Sequence, residues 1–88
     1  MGDVLIKDGT MRPISPMNGR TYTLQEMQQY VGGYIETVVV GNKVMVMDEE
    51  GKLKNKLPNH IATGMLIRAG HNDWVAGDVM LIDRNRIE

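Results

Sequence analysis

The sequence predicts an α+β fold: a small, mostly antiparallel sheet packed with one or two short helices. Runs rich in apolar and β-branched residues recur at 3–7, 34–40, 44–47 and 79–83, with turn signals at Asp8-Gly9, Asn18-Gly19 and Gly41-Asn42. A different pattern, with apolar residues at helical spacing, begins at Thr23. At 88 residues the chain is read as a single domain over 1–88. A domain of this size buries only roughly 60–65% of its unfolded surface, so association is a ready source of added stability.

Residues 3–7, DVLIK, form the first expected strand, ended by Asp8-Gly9. The extended piece at 11–16 contains Pro13 and Pro16. Proline has no N–H to give a strand ladder, so this piece belongs at an edge or in a loop. Asn18-Gly19 is the strongest two-residue turn signal, leading into Arg20, Thr21 and Tyr22. Thr23 and Glu26 then have the spacing of a capping box. Leu24, Met27 and Val31 follow at helical spacing, and Gly32 stands where a left-handed C-cap residue belongs. Two turns of helix are unstable alone, so this helix must rest on the sheet.

Residues 34–40 and 44–47 form an expected hairpin about Gly41-Asn42. Val38-Val39-Val40 makes both faces of the first strand apolar, which predicts a central strand covered on both sides by helices or a second subunit. Residues 48–57 are a polar connection around Gly51. Asn59 is an N-cap candidate for a second helix, with Ile61, Met65 and Arg68 or Ala69 at workable spacing. Gly64 costs that helix ~1 kcal/mol against alanine, which leaves a loop followed by a strand over MLIRA as the alternative for 59–69. Residues 73–76 and 79–83 are expected to close the sheet.

Composition narrows the function classes. Apolar residues make up 42% and charged residues 24%, with a net charge of -1, so the chain has the balance of an ordinary globular domain. It has no basic surplus of the kind that grips nucleic acid. The absence of cysteine removes disulfides, thiolate zinc sites and cysteine nucleophiles together, and fits a reducing cytoplasm. No apolar run approaches the ~20 residues of a membrane helix, and MGDVLIKDG lacks the order of a signal peptide, so a soluble intracellular protein is expected. Eight methionines and no phenylalanine lead to the expectation that most of these methionines fill the core.

Four blocks carry a resemblance: VGGYIE at 31–36, DEEGKLKNKLPN at 48–59, IAT at 61–63 and GD at 77–78. In this order they resemble a small phage- and plasmid-associated family known as a domain of unknown function, over roughly residues 22–82. Asp48 stands where asparagine is more usual in that family. The resemblance implies a phage or mobile-element origin and brings no reaction and no catalytic residues with it.

Catalysis is not expected from the residues themselves. His60 and His71 are the only histidines, and no H-E-x-x-H arrangement or EF-hand pattern of carboxylates exists. Neither a metal nor another cofactor is called for. The segment LPNHIATG could offer helix N-terminal amides beside Asn59, His60 and Thr63 to an anion. Arg12, Arg20 and Arg68 could add charge-assisted bonds, and Tyr22, Tyr34 and Trp74 could stack on a base. The same residues also have structural readings: Asn59 as a cap, Trp74 in the core, the arginines solvated, and Gly32-Gly33 as a helix stop. Together with the phage context, they lead to the expectation of a non-catalytic homo-oligomer. It would bind and sequester a nucleotide immune signal of cyclic-dinucleotide type through Arg12, Arg20, Tyr34, Asn59, His60, Thr63, Arg68 and Trp74. The alternative is an inhibitor or adaptor acting on a host protein.

Overall fold

In the computed structural model, which describes residues 2–7 and 9–88, the chain runs β1 (Val4–Lys7), β2 (Thr10–Pro13), α1 (Leu24–Val31), β3 (Ile35–Val40), β4 (Lys43–Asp48), α2 (His60–Arg68) and β5 (Val79–Asp83). A 3-10 turn over Arg84–Arg86 follows. The strands form one five-stranded sheet in the order β2-β1-β5-β4-β3, with every ladder antiparallel. The fold is therefore α+β.

Side-chain alternation along the strands divides the core between the two faces of the sheet. Val4, Ile6, Met45, Met47, Val79 and Leu81 pack with Ala62 and Leu66 of α2. Leu5, Val44, Val46, Met80 and Ile82 pack with Met27 and Val31 of α1 and with Tyr22. The register agrees: Met45, Leu81 and Val4 line up across one face, and Val46, Met80 and Leu5 across the other. The two helices thus cover opposite faces. Met27, Met45, Met47 and Met80 are buried, Met65 is partly buried, and Met11 and Met17 are exposed, so methionine shares a core made mainly of valine, leucine and isoleucine.

Both helices begin at their expected N-caps, although the Glu26 carboxylate accepts from the Met17 N–H in place of the Thr23 N–H of a full capping box. Thr23 Oγ1 accepts from the Glu26 N–H at 3.1 Å, and the Glu26 carboxylate reaches back to the Met17 N–H at 3.0 Å. Gly32, at φ 80°, closes α1 with its N–H on the Gln28 carbonyl at 2.8 Å. Asn59 caps α2 through the Ala62 N–H at 3.1 Å, so the segment over 59–69 is helix and not loop plus strand. The extended piece at 11–16 contributes the edge strand β2, and Val40 pairs with Lys43 around the Gly41-Asn42 turn. Of the Asp8-Gly9 turn, Asp8 lies outside the described residues. Asn18 turns the chain with its side chain, which accepts from the Arg20 and Thr21 N–H groups.

Two expectations are overturned. Residues 34–40 do not form the central strand: β3 is an edge, and β5 holds the centre. Val38 and Val40 do pack against the α2 cluster, but Val39 points to the other face and stays 49% exposed. The strands buried on both faces are β4 and β5, whose continuous apolar runs mix methionine, leucine and isoleucine with valine. Residues 73–76 do not form a sheet strand either. Val75 and Ala76 pair with the LPN turn, through Asn59 N–H to Val75 O at 2.8 Å and an isolated bridge between Ala76 and Pro58.

One buried carboxylate joins α1 to the polar connection at 48–58. The Asp48 side chain has no exposed surface, and it accepts from Lys54 Nζ at 2.8 Å, Lys56 Nζ at 2.7 Å and the Glu50 N–H at 2.9 Å. The same ammonium groups donate onward, Lys54 to Gly32 O at 3.2 Å and Lys56 to Val31 O at 2.7 Å. These carbonyls are the negative end of α1, whose last turn contains no basic residue of its own. Burial alone would raise the Asp48 carboxyl, but the bonds from Lys54, Lys56 and the Glu50 N–H outweigh it and bring the pKa from 3.8 to about 2.

Because the folded value lies below the unfolded one, this stabilisation is present above about pH 4 and is lost as pH falls through 2. Urea denaturation between pH 5 and 2 is expected to show about 2 kcal/mol of stability lost through this group, and Asp48→Asn removes that part of the slope. A second expectation concerns Gly33. A Cβ there would lie 2.8 Å from both Asp48 oxygens and collide with Lys54 Nζ. Gly33→Ala should therefore cost about 1–2 kcal/mol in the same assay, without any strain from backbone angles.

Candidate functional site

The end of α1, the connection at 56–58 and the start of α2 enclose an open cleft of ≈ 670 Å³. Gln29, Tyr30 and Gly32 line it from α1, Lys56, Leu57 and Pro58 from the connection, and His60 from the first turn of α2. Gly9, Gly77 and Asp78 complete the rim. The two helices cover opposite faces of the sheet, so the cleft lies where the connection at 48–58 carries the chain from one to the other.

The cleft's walls are fixed by hydrogen bonds that cross the fold. Asn59 Nδ2 donates to Ile6 O at 3.1 Å and to Gly77 O at 2.9 Å, while Oδ1 caps α2. This one buried side chain therefore holds together β1, the turn before β5 and α2. On the other side, Lys56 is bound to Asp48 and to the Val31 carbonyl. Tyr30 rests edge-on against the Tyr22 ring, with centroids 6.4 Å apart. Tyr22 in turn donates its hydroxyl to Asp3 Oδ2 at 3.0 Å, and the other Asp3 oxygen accepts from the Asp83 N–H at 2.9 Å. Burial, then the bond to the Asp3 carboxylate, holds the Tyr22 phenol well above its ordinary value, so it stays a neutral donor.

The structure gathers only part of the expected ligand-binding set. Asn59 and His60 line the cleft. Asn59, however, uses its amide to build the wall, so it is not free as a ligand donor. Thr63 Oγ1 accepts from the Val75 N–H at 3.1 Å, which fixes the segment before β5 against α2. Tyr34, Arg12, Arg20, Arg68 and Trp74 are exposed and are not part of the cleft lining. Trp74 is not a core residue: it is 45% exposed, and Lys52 Nζ lies 4.6 Å above its ring. Lys52 also bonds Asp73 at 2.7 Å and so holds the Asp73 carboxyl below its ordinary value.

Gln29, Tyr30, Lys56 and Asp78 belong to the cleft and were not singled out by residue type. Their signal was positional, since Gln29 and Tyr30 directly precede VGG while Lys56 and Asp78 fall inside two of the blocks that carry the family resemblance. Among the described residues, no group of three or more His, Cys, Asp or Glu side chains could hold a metal ion, and no helix is long and apolar enough to cross a membrane. Replacing Asn59 by alanine removes a cap and strands the Ile6 and Gly77 carbonyls. Asn59→Ala is expected to cost about 2–4 kcal/mol in chemical denaturation.

No curated protein and no solved structure matches the chain significantly. Residues 3–88, nearly its full length, match the family described as a domain of unknown function, DUF3846. The chain belongs to that family.

Proposed function

We propose that the protein is a non-catalytic binding module that takes up a nucleotide-type small molecule in this cleft and sequesters it. In a phage or other mobile element, such a module would act in the host cytoplasm as an anti-defence sponge for a cyclic-dinucleotide-like immune signal, working as a homo-oligomer. The observation that supports the reading is convergence. Val31-Gly32, the end of the lysine-rich connection at KLPN, and Gly77-Asp78 are separated in sequence, yet all three border one cleft, while IAT at 61–63 does not. Its volume of ≈ 670 Å³ falls within the range of small-molecule sites. Its lining has the mixed chemistry a nucleotide requires: Leu57 and Pro58 as apolar surface for a base, Gln29 and Asp78 as hydrogen-bonding groups for its edge, and His60 beside a phosphate.

The test is a thermal-shift and calorimetric screen of the purified protein against mononucleotides, linear dinucleotides and cyclic dinucleotides. A ligand held at about a hundred times its dissociation constant should add ~2.7 kcal/mol of stability. It should be recovered unchanged by mass spectrometry, and Gln29→Ala or His60→Ala should weaken the shift. No shift with any nucleotide overturns the reading. A second reading, inhibition of a host protein, draws on the exposure of Tyr34 at 67%, Leu53 at 80% and Leu57 at 79%. A stable complex in a host-lysate pull-down, together with silence in the nucleotide screen, would favour it.

A further inference from the structure

The two edges of the sheet differ. β2 is exposed at all four positions and includes Pro13, a residue with no N–H to offer a neighbouring strand. β3 has six residues, no proline and one charged side chain, Glu36. Two hydrogen bonds fix which of its backbone groups face outward. The Tyr34 carbonyl turns inward, accepting from the Glu49 N–H at 3.0 Å in continuation of the β3–β4 ladder. Val39 has the opposite parity, and its carbonyl meets His71 Nε2 from outside the sheet at 3.0 Å. Ile35, Thr37 and Val39 therefore direct their N–H and C=O groups away from β4.

We infer that two copies of this chain pair through β3, antiparallel and centred on Thr37, joining two five-stranded sheets into one. The register follows from the sequence of the strand. Centred on Thr37, all three outward-facing residues find partners: Thr37 meets the partner's Thr37, and Ile35 meets the partner's Val39 on both sides of the axis. Six backbone hydrogen bonds result. On the same face, the half-buried Ile35 and the 49% exposed Val39 cover one another. Glu36 falls opposite the partner's Val38, so no like charges meet. Moving the centre to Glu36 would set two carboxylates face to face, and moving it to Val38 would leave Ile35 opposite a turn glycine. His71 occupies the Val39 carbonyl in the single chain, and it gives way to the Ile35 N–H of the partner subunit. The histidine is thus a guard on the open edge.

This inference deepens the homo-oligomer part of the proposed function by naming its interface, and it does not depend on a ligand. The experiment is light scattering coupled to size exclusion at tens of micromolar, with hydrogen exchange on the same samples. The wild type should have the mass of two chains, with concentration-dependent protection of the Ile35, Thr37 and Val39 amides. Thr37→Lys sets two ammonium groups against each other at the axis and should give one chain. Thr37→Pro removes an outward N–H that β4 does not use and should do the same. His71→Ala should tighten the dimer about tenfold, by freeing one acceptor on each copy. A monomeric wild type and a monomeric His71→Ala protein overturn the inference, as does a dimer whose mass and β3 protection are unchanged by both Thr37 variants. Because nucleotide binding is read separately, a monomer that still shifts with a nucleotide overturns the interface and leaves the binding reading standing.

Discussion

The carboxylate of Asp48 is the constraint on which the rest of this structure leans. A short helix that ends without a cation of its own presents unpaired carbonyls, and two lysines brought to them would repel one another. A single buried negative charge between the two ammonium groups resolves both problems. The desolvation of Asp48 is offset by its three bonds, and the cost of the ion pair is held down because only one partner is fully desolvated. The Lys54 and Lys56 side chains remain 39% and 26% exposed and keep part of their hydration. The glycine at 33 is a consequence: its missing Cβ is the space through which Lys54 reaches Asp48.

Asn59 plays the corresponding part on the other side of the cleft, with neutral hydrogen bonds in place of ions. Its amide reaches the end of β1, the turn before β5 and the first turn of α2, three places far apart in sequence. The cleft therefore sits between two knots, each made of one buried polar side chain: Asp48 with partners from the connection that follows it, and Asn59 with partners from a strand, a turn and a helix. Walls held in this way would lose little freedom on taking up a ligand of the proposed kind.

Much of the fold was legible because local signals agreed with one another. Thr23, Gly32, Asn59 and the Gly41-Asn42 turn each act where their side chain or backbone preference places them. The misreading of residues 34–40 has a simple origin. Three consecutive valines signal a strand but do not say how many neighbours it has, and alternation puts Val39 on a face that stays half open. For the cleft lining, chain position is a better guide than residue type. Histidine, tryptophan and the arginines drew attention as ligand groups, yet of these only His60 borders the cleft. Asn59 was expected to serve either as a cap or as a ligand, and its acceptance from Ala62 and donation to two distant carbonyls decide for the structural role. No single-sequence signal reveals such a tie, because its carbonyl partners lie 53 and 18 residues away along the chain.

The placement of β5 at the centre of the sheet has a consequence for how the chain reaches its native state. β5 follows every other strand in sequence, yet it fills the gap between β1 and β4. Until it arrives, the protein consists of two separate hairpins, each with apolar side chains on an unsatisfied edge. Those hairpins can form early from local contacts, but joining them requires closure over most of the chain, the slow kind of step for a sheet protein. A chain that has yet to place Val79–Asp83 therefore leaves the backbone edges of β1 and β4 unpaired, the kind of surface through which sheets associate.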